Sequence, residues 1–140
     1  MRARFALLVL IAFSRVATSA DASMFVIVNA KNPVARVDRQ VVTDLFLKKR
    51  TRWSDDLSAQ PVDLSQKSDT RARFSRAVLG RDVASVRRYW AKLVFSGRGV
   101  PPPELATDAD VIKYVTEHAG GVGYVSSASA LTGVKIVEVK

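Results

Sequence analysis

The residues best suited to chemistry lie in the run Gln66-Lys67-Ser68-Asp69-Thr70-Arg71. Ser68 and Thr70 bring hydroxyls, Gln66 an amide, and Lys67 and Arg71 positive charge at the rim. A hydroxyl-rich turn that opens a helix gathers backbone N–H groups with no intrahelical acceptor, and the aligned peptide dipoles add partial positive charge there. Such a turn suits an oxyanion. Arg98, held between Gly97 and Gly99, is a second candidate, because a guanidinium on a flexible loop can be aimed at an oxyanion. The ligand-binding set read from the sequence is therefore Ser68, Asp69, Thr70, Arg71 and Arg98. A plainer reading stands beside it: one of Ser68, Asp69 and Thr70 simply caps the helix, with Asp69 neutralising the pole an anion would use. A protonated anion that donates to Asp69 while accepting from Ser68 and Thr70 reconciles the two.

Other chemistries lack their residues. The chain has no cysteine and a single histidine, His118, so the common zinc spacings are missing and no metal or cofactor is expected. His118 falls at a predicted helix C-terminus, where a cation is favourable without any catalytic role. No serine sits in a nucleophile elbow. Gly120-Gly121-Val122-Gly123 precedes a strand, whereas a dinucleotide fingerprint follows one and opens a helix. The expectation is a protein that is not an enzyme. Arg71, Arg73, Arg76 and Arg81, with Arg87 and Arg88, read as a solvated helix face.

The elements that must hold these residues can be read from apolar spacing. Met24 to Asn29 is a short apolar run rich in β-branched residues, which predicts a strand buried on both faces. Asp38 is placed to cap a helix carrying Val41, Val42, Leu45 and Phe46 on one face and ending near Leu47. Ser54 to Gln60 reads as a polar connection, and Trp53 as a core aromatic. A buried strand over Pro61–Leu64 and a polar loop lead into a helix from Thr70 to Leu79, stopped by Gly80. Asp82 caps the next helix, which runs to about Phe95 and carries Val83, Val86, Trp90 and Leu93 as its apolar stripe. After a loop stiffened by Pro101, Pro102 and Pro103, Thr107 caps a fourth helix that ends near His118, with Gly120 as its left-handed stop. Val122–Val125 and the alternating Val134–Val139 close the chain as strands. The order β-α-β-α-α-α-β-β predicts an α/β fold, a mixed sheet flanked by helices.

Export is the other expectation. Met1-Arg2-Ala3-Arg4 followed by the apolar run Phe5–Phe13 and small residues at Ala17, Ser19, Ala20 and Ala22 has the layout of a secretory signal peptide. Residues 1–20 are then a signal peptide, residues 21–140 a single α/β domain, and the location periplasmic. An uncleaved N-terminal anchor is the alternative. Removing Arg2, Arg4 and Arg15 lowers the formal charge from +9 by three. An exported basic domain points to anionic small molecules, anionic head groups or an acidic partner. No nucleic acid is expected, since no basic run is interleaved with aromatics. No second apolar run reaches membrane-spanning length.

Three segments together resemble the phosphate-type periplasmic solute-binding proteins (PstS-like) that serve ABC transporters. Val41–Trp53 (VVTDLFLKKRTRW) is similar to that family's helix-then-tryptophan segment. Ser68-Asp69-Thr70 stands where it has Ser-Gly-Thr at a helix start, with Phe74 four residues on. Gly120-Gly121-Val122-Gly123-Tyr124 resembles its Gly-Ala-Ile-Gly-Tyr. The resemblance implies one lobe of a type II periplasmic binding protein in short form, with the strands at Met24 and Val134 as hinge strands. It carries phosphate-donor roles to Ser68 and Thr70 alone. Asp69 replaces a glycine of the family, and Leu64 stands where many members carry a ligand-clamping arginine. The function it implies is non-catalytic, weak phosphate or oxyanion binding, with a homodimer supplying a second wall. The alternatives are an interaction or assembly module docking an envelope protein after loss of the ligand site, and a surface binder working through Lys48–Trp53.

Overall fold

The computed structural model describes residues 23–54, 56–129 and 131–140, and the segment read as a signal peptide lies outside them. In chain order the elements are β1 (Phe25–Asn29), β2 (Arg36–Val37), α1 (Arg39–Phe46), β3 (Arg52–Ser54), β4 (Leu57–Ser58), β5 (Gln60–Pro61) and β6 (Asp63–Leu64). They continue as α2 (Asp69–Phe74), a π-helical turn (Ser75–Leu79), α3 (Val83–Phe95), β7 (Glu104–Leu105), α4 (Asp108–Glu117), β8 (Gly121–Val125), β9 (Val134–Ile136) and β10 (Glu138–Val139).

The apolar β1 lies inside the sheet, as its composition requires. It pairs antiparallel with β8 on one side and with β9 on the other. β5 joins the far edge of β8 in parallel. β5 and β6 are halves of one extended segment broken at Val62, whose N–H still donates to Val122 O at 2.9 Å. β6 then carries β7 in parallel, so the α2–α3 stretch is a crossover between parallel neighbours. This is the predicted mixed sheet flanked by helices.

Helix positions follow the apolar stripes. Val42, Leu45 and Phe46 of α1, Val86 and Trp90 of α3, and Val111 and Val115 of α4 are all buried. Asp82 and Thr107 cap as expected, each side chain accepting a backbone N–H. Asp38 holds the N-cap position of α1, but its side chain makes no cap bond. The far end of α4 is closed from the sheet: Asn29 Nδ2 donates to Val115 O (2.9 Å), Thr116 O (3.1 Å) and His118 O (3.2 Å). These carbonyls have no intrahelical partner, so Asn29 ties α4 to β1 through polar satisfaction as well as packing.

Four expectations change. The predicted helix from Thr70 to Leu79 is α2 followed by the π-helical turn, which ends at Gly80 in the left-handed region (φ 65°). The polar connection contains the β3–β4 hairpin, which seats Trp53 in the core with Nε1 donating to Gly120 O at 2.9 Å. The last strand divides at Val137: β9 pairs with β1, while β10 turns to pair in parallel with β2. Gly120 is not left-handed, and the reason for a glycine is instead close approach, since a Cβ there would overlap the Ser58 carbonyl.

Candidate ligand-binding site

The turn between β6 and α2 is built by its own polar groups. Ser68 N–H donates to Ser65 O at 2.9 Å. Ser68 then becomes the N-cap: its carbonyl accepts from Ala72 N–H (3.1 Å) and its Oγ from Arg71 N–H (3.2 Å). The capping reading is therefore realised by Ser68. Two first-turn amides, those of Asp69 and Thr70, have no acceptor among the described residues, and neither does the Thr70 hydroxyl. Thr70 is buried, whereas the Asp69 side chain is turned to solvent.

Beneath this turn lies an ionic cluster that the sequence did not lead us to expect. Arg71 is neither at the rim nor on a solvated helix face; it is 5% exposed. Its Nη1 donates to Leu64 O (2.8 Å) and Glu104 Oε1 (2.9 Å), and its Nη2 stands 3.6 Å from Asp63 Oδ2. The Tyr124 hydroxyl donates to Asp63 Oδ1 (2.7 Å) and accepts the Leu64 N–H (3.1 Å). Gln66 Nε2 reaches Glu104 Oε1 at 3.2 Å from outside. The inward turn of Arg71 has a simple cause. Asp63 sits in a strand buried on both faces, and a buried carboxylate needs a cation and hydrogen-bond donors. Tyr124 is held in turn by an aromatic stack, with the Phe74 ring parallel to it at 3.9 Å and Phe46 tilted against Phe74 at 4.6 Å. One aromatic column thus fixes both the strand end and the helix after it.

Burial pushes the Asp63 carboxyl up to about 6, against the Arg71 charge and the Tyr124 hydroxyl, which both favour its ionised form; nearby Glu104 raises it further. The Tyr124 hydroxyl is likewise raised, first by burial and then by the Asp63 charge. An acid whose folded pKa lies above its ordinary value binds more protons in the folded state than in the unfolded one. Stability therefore rises as pH falls from about 6 toward 3.8. The expected contribution is about 2–3 kcal/mol, taking about 1.4 kcal/mol for each unit of displacement. Urea unfolding from pH 7 to pH 4 checks this in comparison with Asp63→Asn, which is expected to lack that component. Parallel pH profiles for the two proteins would refute it.

The remaining basic candidates lie elsewhere. Arg98 is exposed, with Nε donating to Ser96 Oγ at 3.0 Å, and no hydrogen bond joins it to the α2 start. Arg81 lies over the Tyr89 ring at 5.5 Å. Arg50 is tied back to Trp53 O at 3.0 Å. His118 Nδ1 donates to Tyr114 O at 2.6 Å, and its ring stacks on Tyr114 at 4.0 Å. Among the described residues no cluster of three or more His, Asp or Glu side chains is arranged to hold a metal, and no helix is long and apolar enough to cross a membrane.

Neither a family model nor a curated protein matches the sequence. Solved structures do match the fold. An ABC-type phosphate transport receptor from Vibrio cholerae superposes with a TM-score of 0.64 at 18% identity, over 83% of this chain and 45% of its own. A protein described as a phosphate ABC transporter substrate-binding protein, with bound phosphate, from Clostridium perfringens gives 0.64 at 20% identity, over 83% and 44%. PstS from Borrelia burgdorferi gives 0.63 at 8% identity, over 84% and 47%. The chain thus spans less than half the length of each of these proteins. It has the fold of one lobe of a PstS-type binding protein, as the three segment resemblances implied.

Proposed function

We propose that the chain is a non-catalytic oxyanion-binding module of the extracytoplasmic space, taking phosphate or a similar anion at the start of α2. The observation that carries this reading is the pair of unpartnered amides at Asp69 and Thr70 together with the unpartnered Thr70 hydroxyl. Three donors at a positive helix pole, at the end of a strand, are suited to a tetrahedral anion. The likeness in fold to a protein with bound phosphate supports it. Ser68 acts as the cap that shapes the turn, and its Oγ keeps a lone pair for a protonated anion. Arg71 contributes indirectly, because its guanidinium is engaged with Leu64 O, Asp63 and Glu104. Arg98 would bind only if its loop brought it to the anion. With no arginine at position 64 and one face open to water, the affinity is expected to be weak, with Kd on the order of 1 mM.

Calorimetric titration with phosphate and with sulfate tests this. Saturable heat is expected for the native protein. Thr70→Val is expected to weaken binding about tenfold, the usual scale for a hydrogen bond to a charged group. Ser68→Ala is expected to weaken it less. No saturable heat at tenfold higher anion than the expected Kd would refute the reading. The second reading, an interaction module, is favoured by a separate feature, the exposed apolar surface at the end of α3.

A further inference from the structure

Between α3 and the segment leading into β7 lies a groove of about 430 Å³, within the range of about 300–1,000 Å³ usual for small-molecule sites. Trp90 and Val94 of α3, with Pro101 and Pro102 from the loop that follows, supply its apolar lining. The prolines stiffen that wall, so little order is lost when something packs against it. The floor is the outward side of the ionic cluster: Asp63 and Arg71, with Glu104 and Gln66 beside them and Arg87 contributed by α3.

Two buried polar atoms of this floor have bonding capacity left over. Asp63 Oδ2 and Arg71 Nη2 stand 3.6 Å apart, beyond hydrogen-bond distance, and neither makes a hydrogen bond to any other described residue. Each side chain is only 6% exposed. Among the described residues Asn32 Nδ2 is the one sealed side-chain polar atom without a partner, so the Asp63 and Arg71 atoms are open to the groove. Two more groups are free beside them. Glu104 Oε1 accepts from Arg71 and Gln66, whereas its Oε2 accepts from no described residue. Arg87 has neither a hydrogen bond nor an ion pair among the described residues.

The charged lining is balanced, Asp63 and Glu104 against Arg71 and Arg87. A lone anion would meet the two carboxylates, and a lone cation the two guanidiniums. A purely apolar molecule would strip water from all four charges and replace none of its hydrogen bonds. A small molecule with both charges on an apolar body avoids each of these penalties. We infer that the groove binds a free α-amino acid with an apolar side chain. Its ammonium donates to Asp63 Oδ2 and Glu104 Oε2, and its carboxylate accepts from Arg71 Nη2 and Arg87. Its side chain lies along Trp90, Val94 and the prolines. The groove adjoins the α2 turn through Arg71 and Gln66, but the amino acid uses neither the Asp69 and Thr70 amides nor the Thr70 hydroxyl, so this site does not depend on phosphate binding there.

Calorimetric titration of the full chain with L-phenylalanine and L-leucine tests this, with Trp emission followed in parallel. Phenylacetate and phenethylamine are the comparison probes, since each keeps the ring and one charge. Both amino acids are expected to bind saturably, with Kd on the order of 1 mM for a ligand of about a dozen non-hydrogen atoms. Each single-charge probe is expected to bind about tenfold or more weakly. Arg87→Gln is expected to weaken L-phenylalanine about tenfold; Arg87 is exposed, so the variant should keep the native thermal midpoint. Thr70→Val is expected to weaken phosphate but leave L-phenylalanine affinity as it is, so either reading can fail without the other. No saturable binding of either amino acid up to about 10 mM would overturn the inference. So would equal affinity for either single-charge probe, or an unchanged affinity in Arg87→Gln. A loss of L-phenylalanine affinity in Thr70→Val as large as that for phosphate would place the amino acid at the α2 turn, and would overturn it too.

Discussion

Arg71→Met is expected to lower stability at pH 7 by about 3–5 kcal/mol, the usual result of removing one partner from a buried ion pair. Methionine keeps most of the side-chain volume, so the loss reports on charge and hydrogen bonding more than on a cavity. Three bonds go together: the Leu64 carbonyl loses its donor, Asp63 its counter-charge and Glu104 its partner. Glu104 can turn to water, because its side chain is 40% exposed, but Asp63 cannot. The deficit should therefore shrink as pH falls below about 6, where the Asp63 carboxyl is neutral and has less need of a cation. Urea midpoints at pH 7 and pH 5 measure both quantities. A loss below about 1 kcal/mol, or one that is the same at both pH values, would mean the pairing is incidental. In a domain at the lower end of the usual stability range, about 5 kcal/mol, the predicted loss would leave an appreciable unfolded fraction.

Gly120→Ala is the second large effect, expected at about 3 kcal/mol and at the upper end of what overpacking costs. The added Cβ would overlap the Ser58 carbonyl oxygen and crowd the Ala59 backbone, and no side-chain rotation can relieve a clash between main chains. The Gly120 carbonyl also accepts from Gln60 N–H (2.9 Å) and from Trp53 Nε1 (2.9 Å), so any shift of the peptide disturbs both. Gly80→Ala is the control. Its Cβ meets nothing within 4 Å, so only the left-handed conformation (φ 65°) is strained, at about 1 kcal/mol. Thermal midpoints of the two variants would decide the matter. Equal midpoints would refute close approach as the reason for a glycine at position 120.

These cases show why some of the molecule could be read from its sequence and some could not. Local signals carried well: the cap at Asp82, the cap at Thr107, the helix stop at Gly80 and the apolar stripes of α1 and α3 depend on residues within a turn or two of each other. The ionic cluster was missed because its members come from strand 61–64, helix 69–74, the start of β7 and β8, up to 61 positions apart. One clue was available. An aspartate inside the apolar segment Pro61–Leu64 requires a buried partner, and the arginine eight positions on was the nearest cation C-terminal to it after Lys67. Gly120 shows the converse: the need for glycine was legible, but its cause was a carbonyl sixty-two residues away in the hairpin. The exposed apolar surface at Phe95 was invisible for a third reason. The sequence has Val94, Phe95 and Val100 close together, but spacing cannot tell which apolar residues the fold leaves uncovered.

The π-helical turn at Ser75–Leu79 makes the winding of this segment uneven. Five residues there are wound more loosely than an α-helix would wind them, and the slack is taken up from outside: Val78 O accepts from Thr43 Oγ1 (2.9 Å), and Ser75 Oγ donates to Arg81 O (2.6 Å). Deleting one residue between 75 and 79 would let the backbone tighten into a regular spiral, but it would swing α2 by roughly 100° about the axis relative to α3. Ser68 and Thr70 on one side and the Asp82 cap on the other are thus kept in phase by a single surplus residue. Any distant relative superposed on this chain by its helix start will match beyond Gly80 only if its own count between those points includes that residue or an equivalent kink.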